Sequence, residues 1–229
     1  MPISLEHRRV DGIHVVACAG RIVEGAESEA VRQYLDDLLQ YGPKIIMNVG
    51  AVDFVDSSGL GLLVRYTMRA RNNSGAFRLC AVTPKLSALL KATRLDGVFD
   101  AHETEAEAIA GFYERPRTGA EQDASASVIL CLIESLDVQA LVRELLMRAG
   151  FSVRSAGNLP DGLILLQVTR PKVVVIDRGL RQGARTATAA KFEQIAGTMP
   201  MIELPEGFAG LDPADATHDL LERIHAAGA

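Results

Sequence analysis

Residues 52–61 read V-D-F-V-D-S-S-G-L-G, and the first half of the chain is organised about them. An apolar run, Ile45 to Val49, ends just before this stretch, and a helical pattern, Leu60, Leu63, Val64, Thr67 and Met68, begins as it closes. The order is strand, tight loop, helix. Ser57 and Ser58 fall where an N-cap belongs, because a hydroxyl there accepts a hydrogen bond from an otherwise unpaired amide of the first turn. Gly59 and Gly61 keep the backbone bare on either side, so another molecule can come close to the serine hydroxyls. The stretch presents a hydroxyl at the positive end of a helix, either as a cap and nothing more or as a group that a partner reads.

The string D-S-S-G-L-G after an apolar strand resembles the STAS family, named for sulfate transporters and anti-sigma factor antagonists. The resemblance runs from Ile3 to Phe112, about half the chain. It implies a β-sheet with helices packed on it and, as in the bacterial antagonists, a phosphoacceptor at the second serine of the pair. Carried over, that residue is Ser58, with Ser57 as the alternative, and Asp56, Ser57, Ser58, Gly59 and Leu60 form the partner-binding loop. The implied partner is an anti-sigma factor or a serine kinase of the same signalling system, held while Ser58 is bare and released when it is phosphorylated. Two positions depart from the family pattern. Val23 stands near where the antagonists often carry an acidic or small polar residue, and Asn48 stands where an aspartate is common.

With 229 residues the chain has room for two ordinary domains. Hydrophobic residues make up 48 % and charged residues 23 %, a globular balance. The net charge is −5 with no Lys/Arg block, which argues against a nucleic-acid partner, since phosphate binding needs a basic footprint. The start, M-P-I-S-L-E-H, lacks the regions of a signal peptide, and no apolar run approaches the ~18 residues of a membrane span. A cytoplasmic protein is expected, without membrane partners. Cys18, Cys80 and Cys131 each sit in an apolar run, and their odd number and spacing predict buried thiols, not disulfides or a zinc site. His7, His14, His102, His218 and His225 show no ligand spacing, so no metal and no cofactor is expected.

Taken in order, Leu5 to Arg9 and Ile13 to Ala19 are strands joined at Asp11-Gly12, a hairpin signature. After a loop from Gly20 to Gly25, Glu27 to Tyr41 has helical spacing ended by Gly42-Pro43. Ile45 to Val49 reads as a strand buried on both faces. A helix from Gly59 to about Asn72 follows, then a strand from Phe77 to Val82. Thr83 caps and Pro84 opens a helix ending around Leu95 to Gly97. Val98 to Ala101 is a short strand, and Thr104 with Glu107 makes a capping box for a helix reaching Phe112. Alternating strands and helices mean a largely parallel sheet. Residues 1–114 are read as the STAS domain, 115–127, without apolar period, as a linker, and 128–229 as a second domain.

The second domain restarts with Val128 to Ile133 as a strand and a helix from Val138 to Ala149. Ser152 to Ser155 is a strand, Pro160 to Thr169 a helix, and Lys172 to Ile176 a strand ending in Asp177. Helices near Ala187 to Ala196 and from Asp215 to Ala227 follow. This order, with A-G-F at 149–151, V-V-V-I-D at 173–177 and D-R-G-L-R-Q-G after it, resembles the receiver domains of two-component signalling, implying a flavodoxin-like, doubly wound parallel sheet. On that pattern Asp177 takes the phosphoacceptor place. The acid pair of a working receiver reads Ile133-Glu134, its Ser/Thr position reads Pro205, and its lysine is missing or replaced by Asp212. The span from Pro205 to Pro213 is too short for a usual helix plus strand. Glu134 and Asp177 are thus a vestigial site in a degenerate domain, Asp177 being otherwise a strand-end aspartate capping the next turn.

No G-x-x-x-x-G-K-[ST] and no G-x-G-x-x-G after a strand is present, and no nucleophile-base pair stands out, so a binding protein is expected, not an enzyme. The leading expectation is an anti-sigma factor antagonist-type regulator controlled at Ser58. A scaffold subunit of a stress-sensing assembly, with self-association, and a small-molecule-sensing STAS module are the alternatives.

Overall fold

The computed structural model describes residues 3–113, 127–182, 187–205, 207–208 and 213–228. The chain divides into two compact units, 1–112 and 113–229. The expected linker over 115–127 lies, except for Ser127, outside the described residues.

In the first unit, β1 (Ser4–Val10) and β2 (Ile13–Ile22) form an antiparallel hairpin. Asp11 and Gly12 turn it with φ 45° and 79°, the positive values that a hairpin twisted like its strands requires. There follow α1 (Ala26–Tyr41), β3 (Lys44–Val55), α2 (Ser57–Asn72), β4 (Ala76–Cys80), α3 (Pro84–Ala92), β5 (Asp100–His102) and α4 (Glu105–Ala110). The sheet order is β1-β2-β3-β4-β5, and every pair after the hairpin is parallel. One face carries α1, α2 and α3 through Val31, Leu35, Leu63, Tyr66, Leu86 and Leu90. On α4, Asn48 of β3 donates to Glu105 (3.4 Å), and Arg78 of β4 donates to the Ala108 carbonyl (2.9 Å) and lies over the Phe112 ring.

Several boundaries differ from the expected ones. β2 does not stop at Ala19 but runs to Ile22, and β3 runs to Val55 instead of Val49, because the two strands pair Gly20↔Val52 beyond one irregularity and Arg21↔Phe54 and Ile22↔Val55 beyond a second. A parallel neighbour supplies hydrogen bonds that no local pattern announces. The helix opened by Thr83 ends at Ala92, where the Thr93 hydroxyl donates to the Leu89 carbonyl (2.9 Å) and Arg94 turns left-handed at φ 57°. The short strand is Asp100–His102, since Phe99 is drawn into the core instead. Thr104 caps α4 as expected, accepting from the Glu107 amide.

The second unit contains β6 (Val128–Leu132), α5 (Leu136–Arg148), β7 (Ser152–Ala156), α6 (Leu159–Thr169), β8 (Val173–Asp177), α7 (Arg178–Gln182), α8 (Ala187–Ala196), β9 (Met201–Leu204) and α9 (Pro213–Ala226). Among the described residues its sheet has four parallel strands in the order β7-β6-β8-β9. α5 and α9 bury Val142, Leu146, Leu220 and Ile224 against Ile129, Cys131 and Val175. α6 lies so close to the sheet that a Cβ on Gly162 would sit 2.4 Å from Leu132 Cδ2. The short helix α7 directly after Asp177 was not expected; Asp212 lies outside the described residues.

Cys18, Cys80 and Cys131 are buried thiols outside any disulfide, and burial pushes the first two up to about 12. Across the hairpin His7 Nε2 and His14 Nδ1 share a hydrogen bond of 3.0 Å, and the rings stack with centroids 5.1 Å apart. Both imidazoles are held below the usual range, first by burial, then by Arg9 and, for His14, by His7. The unfolded chain therefore binds protons that the folded one refuses, so stability is full above the free histidine value of ~6.5 and declines as pH falls below it. Urea midpoints are expected to drop between pH 7 and 5, and less so in His14→Gln.

Candidate functional site

The signature stretch is not a loop. V-D-F-V closes β3, S-S-G-L-G opens α2, and Asp56 alone joins them. Asp56, not either serine, is the N-cap. Its Oδ1 accepts from the Gly59 amide at 2.8 Å, and its Oδ2 accepts from the Glu24 amide, also at 2.8 Å. Its own amide donates to the Ile22 carbonyl at 3.2 Å. A carboxylate outcompetes a hydroxyl here because it has two acceptor atoms and carries the charge that a helix N-terminus favours. The Gly59 and Glu24 amides hold the Asp56 carboxyl below the usual range, against the effect of its partial burial, with Ser58 and Arg21 adding to them.

The two glycines have different duties. A Cβ on Gly59 would lie 2.3 Å from the Ile22 carbonyl oxygen and 2.9 Å from Val55 Cγ1, so this glycine is bare because the end of β2 presses on it. Gly61 faces outward, with nothing within 4 Å of a Cβ placed there. Gly59 and Leu60 are buried and Asp56 is half-buried, which leaves Ser57 and Ser58 as the outward surface of the expected docking segment.

Relieved of capping, the two serines face different surfaces. Ser57 lines an apolar cavity of about 630 Å³ between the end of β3 and α3, walled by Val52, Leu60, Leu86, Leu89 and Ala92. At the cavity, Lys85 Nζ lies 5.5 Å and Arg21 Cζ 5.6 Å from the centroid of the exposed Phe54 ring. Ser58 opens instead onto a shallower groove of about 320 Å³ between α1 and α2, shared with Ser28, Arg32 and Arg65. The helices flanking that groove are clamped together. The Tyr66 hydroxyl, with one proton to give, lies 2.7 Å from Asp36 Oδ1 and 2.8 Å from the Arg32 carbonyl oxygen, and Arg69 pairs with Asp36. Burial and the Asp36 carboxylate push the Tyr66 hydroxyl above its usual range.

Sequence reasoning missed the α3 wall and Arg65; the spacing Ser58, Leu62, Arg65 was the available signal for the latter, since i, i+4 and i+7 share a helix face. In the second unit, Asp177 ends β8 half-buried and Glu134 is exposed just past β6, so the acids stand at the same end of two adjacent strands. Pro205 follows β9, and Arg181 of α7 pairs with Glu203 of β9 at 2.5 Å. Among the described residues no group of three His, Cys, Asp or Glu is placed to hold a metal ion. No described helix is long and apolar enough to cross a membrane.

Residues 4–108 match the family model of the STAS domain, which takes in the whole strand, cap and helix unit described above. An anti-sigma F factor antagonist of Paenibacillus polymyxa is 26 % identical over 111 residues, 48 % of this chain and 92 % of that protein. Among solved structures, an anti-sigma-factor antagonist (STAS) domain protein from Planctomyces limnophilus is 26 % identical, with a TM-score of 0.44, over 50 % of this chain and 100 % of the other. An anti-sigma factor antagonist from Mycobacterium paratuberculosis is 24 % identical, with a TM-score of 0.45, over 49 % of this chain and 95 % of the other.

The glycines give opposite expectations. Gly59→Ala gains about 1 kcal/mol of helix propensity but must displace a backbone oxygen, an overpacking cost of about 1–3 kcal/mol or more, so its melting temperature falls. Gly61→Ala meets nothing and its melting temperature rises, by a gain of about 0.5–1 kcal/mol. Asp56→Ala loses the cap and about 1–2 kcal/mol. Thermal unfolding of the three variants checks the set.

Proposed function

We propose that this protein, which carries a STAS domain over residues 4–108, is a regulatory switch of the anti-sigma factor antagonist type that works by binding and catalyses nothing. Its partner is an anti-sigma factor or a serine kinase of the same system, and phosphorylation of Ser58 releases it. The observation that carries this reading is the division of labour at the start of α2: Asp56 does the capping, and the exposed Ser58 hydroxyl has no hydrogen-bond partner among the described residues. Ser57 is the weaker acceptor, because it borders the apolar cavity. The related antagonist of Paenibacillus polymyxa supports the general role.

A phosphoryl group would bring about −1.5 to −2 charges. The helix N-terminus offsets about 0.3–1 kcal/mol of its cost. Against this stands a partner surface complementary to the bare loop, where like-charge contact and phosphate desolvation cost several kcal/mol. Asp56, held ionised beside it, adds to the repulsion. Release wins, without a change of fold.

The second unit we read as a receiver-like module with its phosphorylation centre dismantled. The strand order β7-β6-β8-β9 with connecting helices, and the lack, among the described residues, of a third ligand beside Glu134 and Asp177, support that reading. It serves for input or docking, and the ATP that modifies Ser58 comes from the partner. The 630 Å³ apolar cavity at the strand ends favours a second reading, a STAS module that senses an apolar metabolite.

Pull-downs from lysate with wild type, Ser58→Ala and Ser58→Asp, read by mass spectrometry, test the switch. A kinase-like or anti-sigma protein is expected on the first two baits and at least about tenfold less on Ser58→Asp, a weakening of ~1.4 kcal/mol or more. The same proteins on all three baits, or copies of the bait alone, would overturn control by Ser58.

A further inference from the structure

We infer that a phosphoryl group on Ser58 is captured by Arg65, two turns further along α2, and that the capture removes from the surface a cation on which an acidic partner side chain can dock. This inference deepens the reading of Ser58 as the regulated residue and rests on it. Ser58, Gly61, Leu62 and Arg65 stand at i, i+3, i+4 and i+7 and line one groove. Seven residues bring the helix almost back into line, about 10.5 Å along its axis. An arginine leans back toward the helix N-terminus and covers much of that distance; the phosphoserine, whose Cβ leans the same way, closes the rest by turning its ester oxygen toward Gly61.

The way between them is open on the Gly61 side, where a Cβ would meet no atom within 4 Å outside its chain neighbours, and half-buried Leu62 floors it on the other. Among the described residues that line the groove, Arg65 is the cation not already paired. Asp56 already holds the Gly59 amide of the first turn. Across the groove Arg32 is committed to Glu29, with Nε 2.8 Å from Oε2, and to Asp36 at 3.4 Å. Glu29 also borders the groove and repels an anion unless it stays on Arg32. Arg65 is exposed and makes no ion pair among the described residues. Its planar fork matches a phosphate with two parallel N–H donors.

In the bare state Arg65 is therefore a free positive group beside Ser58, and in the phosphorylated state its charge is spent internally. Phosphorylation then weakens binding twice, by adding negative charge and by consuming the cation.

The test needs no partner. The full chain is made with phosphoserine encoded at position 58, and the second ionisation of the phosphate is followed by ³¹P NMR against pH. Arg65→Gln is expected to raise the midpoint by about half a unit or more, because an adjacent cation favours the dianion. Arg65→Lys restores part of the shift, and Arg32→Gln moves it less than Arg65→Gln does. Equal midpoints in wild type and Arg65→Gln, or a larger change with Arg32→Gln, overturn the inference. Circular dichroism verifies that each variant is folded, and Arg65→Lys keeps the test decisive if the glutamine variant is not. Failed partner capture in the pull-down would sink the switch while leaving this titration intact, so the two failures are told apart.

Discussion

The carboxylate of Asp56 is the joint on which the first unit depends. One oxygen closes the first turn of α2 on the Gly59 amide, the other ties down the amide of Glu24 in the turn after β2, and the Asp56 amide reaches the Ile22 carbonyl. Two segments far apart in sequence, 22–24 and 56–59, thus meet at one residue. The joint closes only because Gly59 has no side chain, since the Ile22 carbonyl oxygen occupies the place where a Cβ would sit. Local hydrogen bonding and long-range packing make the same demand at adjacent positions, which is how a helix start is fixed in direction as well as in place.

From that joint the functional surface follows. With the cap supplied by Asp56, the serines at the first two helical positions are left to solvent, and the helix turn aims them apart, Ser57 toward the apolar cavity and Ser58 toward the groove beside α1. The clamp of Tyr66, Asp36 and Arg69 keeps α1 and α2 together under that groove. A charge added at Ser58 therefore falls on a rigid surface, where it is felt by whatever docks there and by Arg65 rather than absorbed by movement of the chain.

Much of the fold was legible in local pattern. The Asp11-Gly12 hairpin, the α1 period with its Gly42-Pro43 stop, Thr83-Pro84 as a helix start and the Thr104 cap are each written in a few neighbouring residues. What was not legible is what a distant strand supplies. Gly20 to Ile22 look like a loop and are strand, because Val52 to Val55 pair with them. Phe99 looks like strand and is core instead. In the second unit the β–α alternation was readable from apolar runs, while α7 after Asp177 was not, being a single short turn with a glycine inside it.

The sequence alone determined the kind of site: a strand leading into a helix, two serines at the helix start, and a family resemblance that points to Ser58. It also determined that Cys18, Cys80 and Cys131 would be buried thiols, since each sits in an apolar run. Only the tertiary structure decided which residue caps the helix, which glycine is bare for internal reasons and which faces outward, and that the two serines look onto different surfaces. The physical reason is that capping, close approach and groove formation are relations between segments. Asp56 prevails over Ser57 because Glu24 offers it a second amide, and Arg65 stands near Ser58 because a helix brings every seventh residue back to the same face.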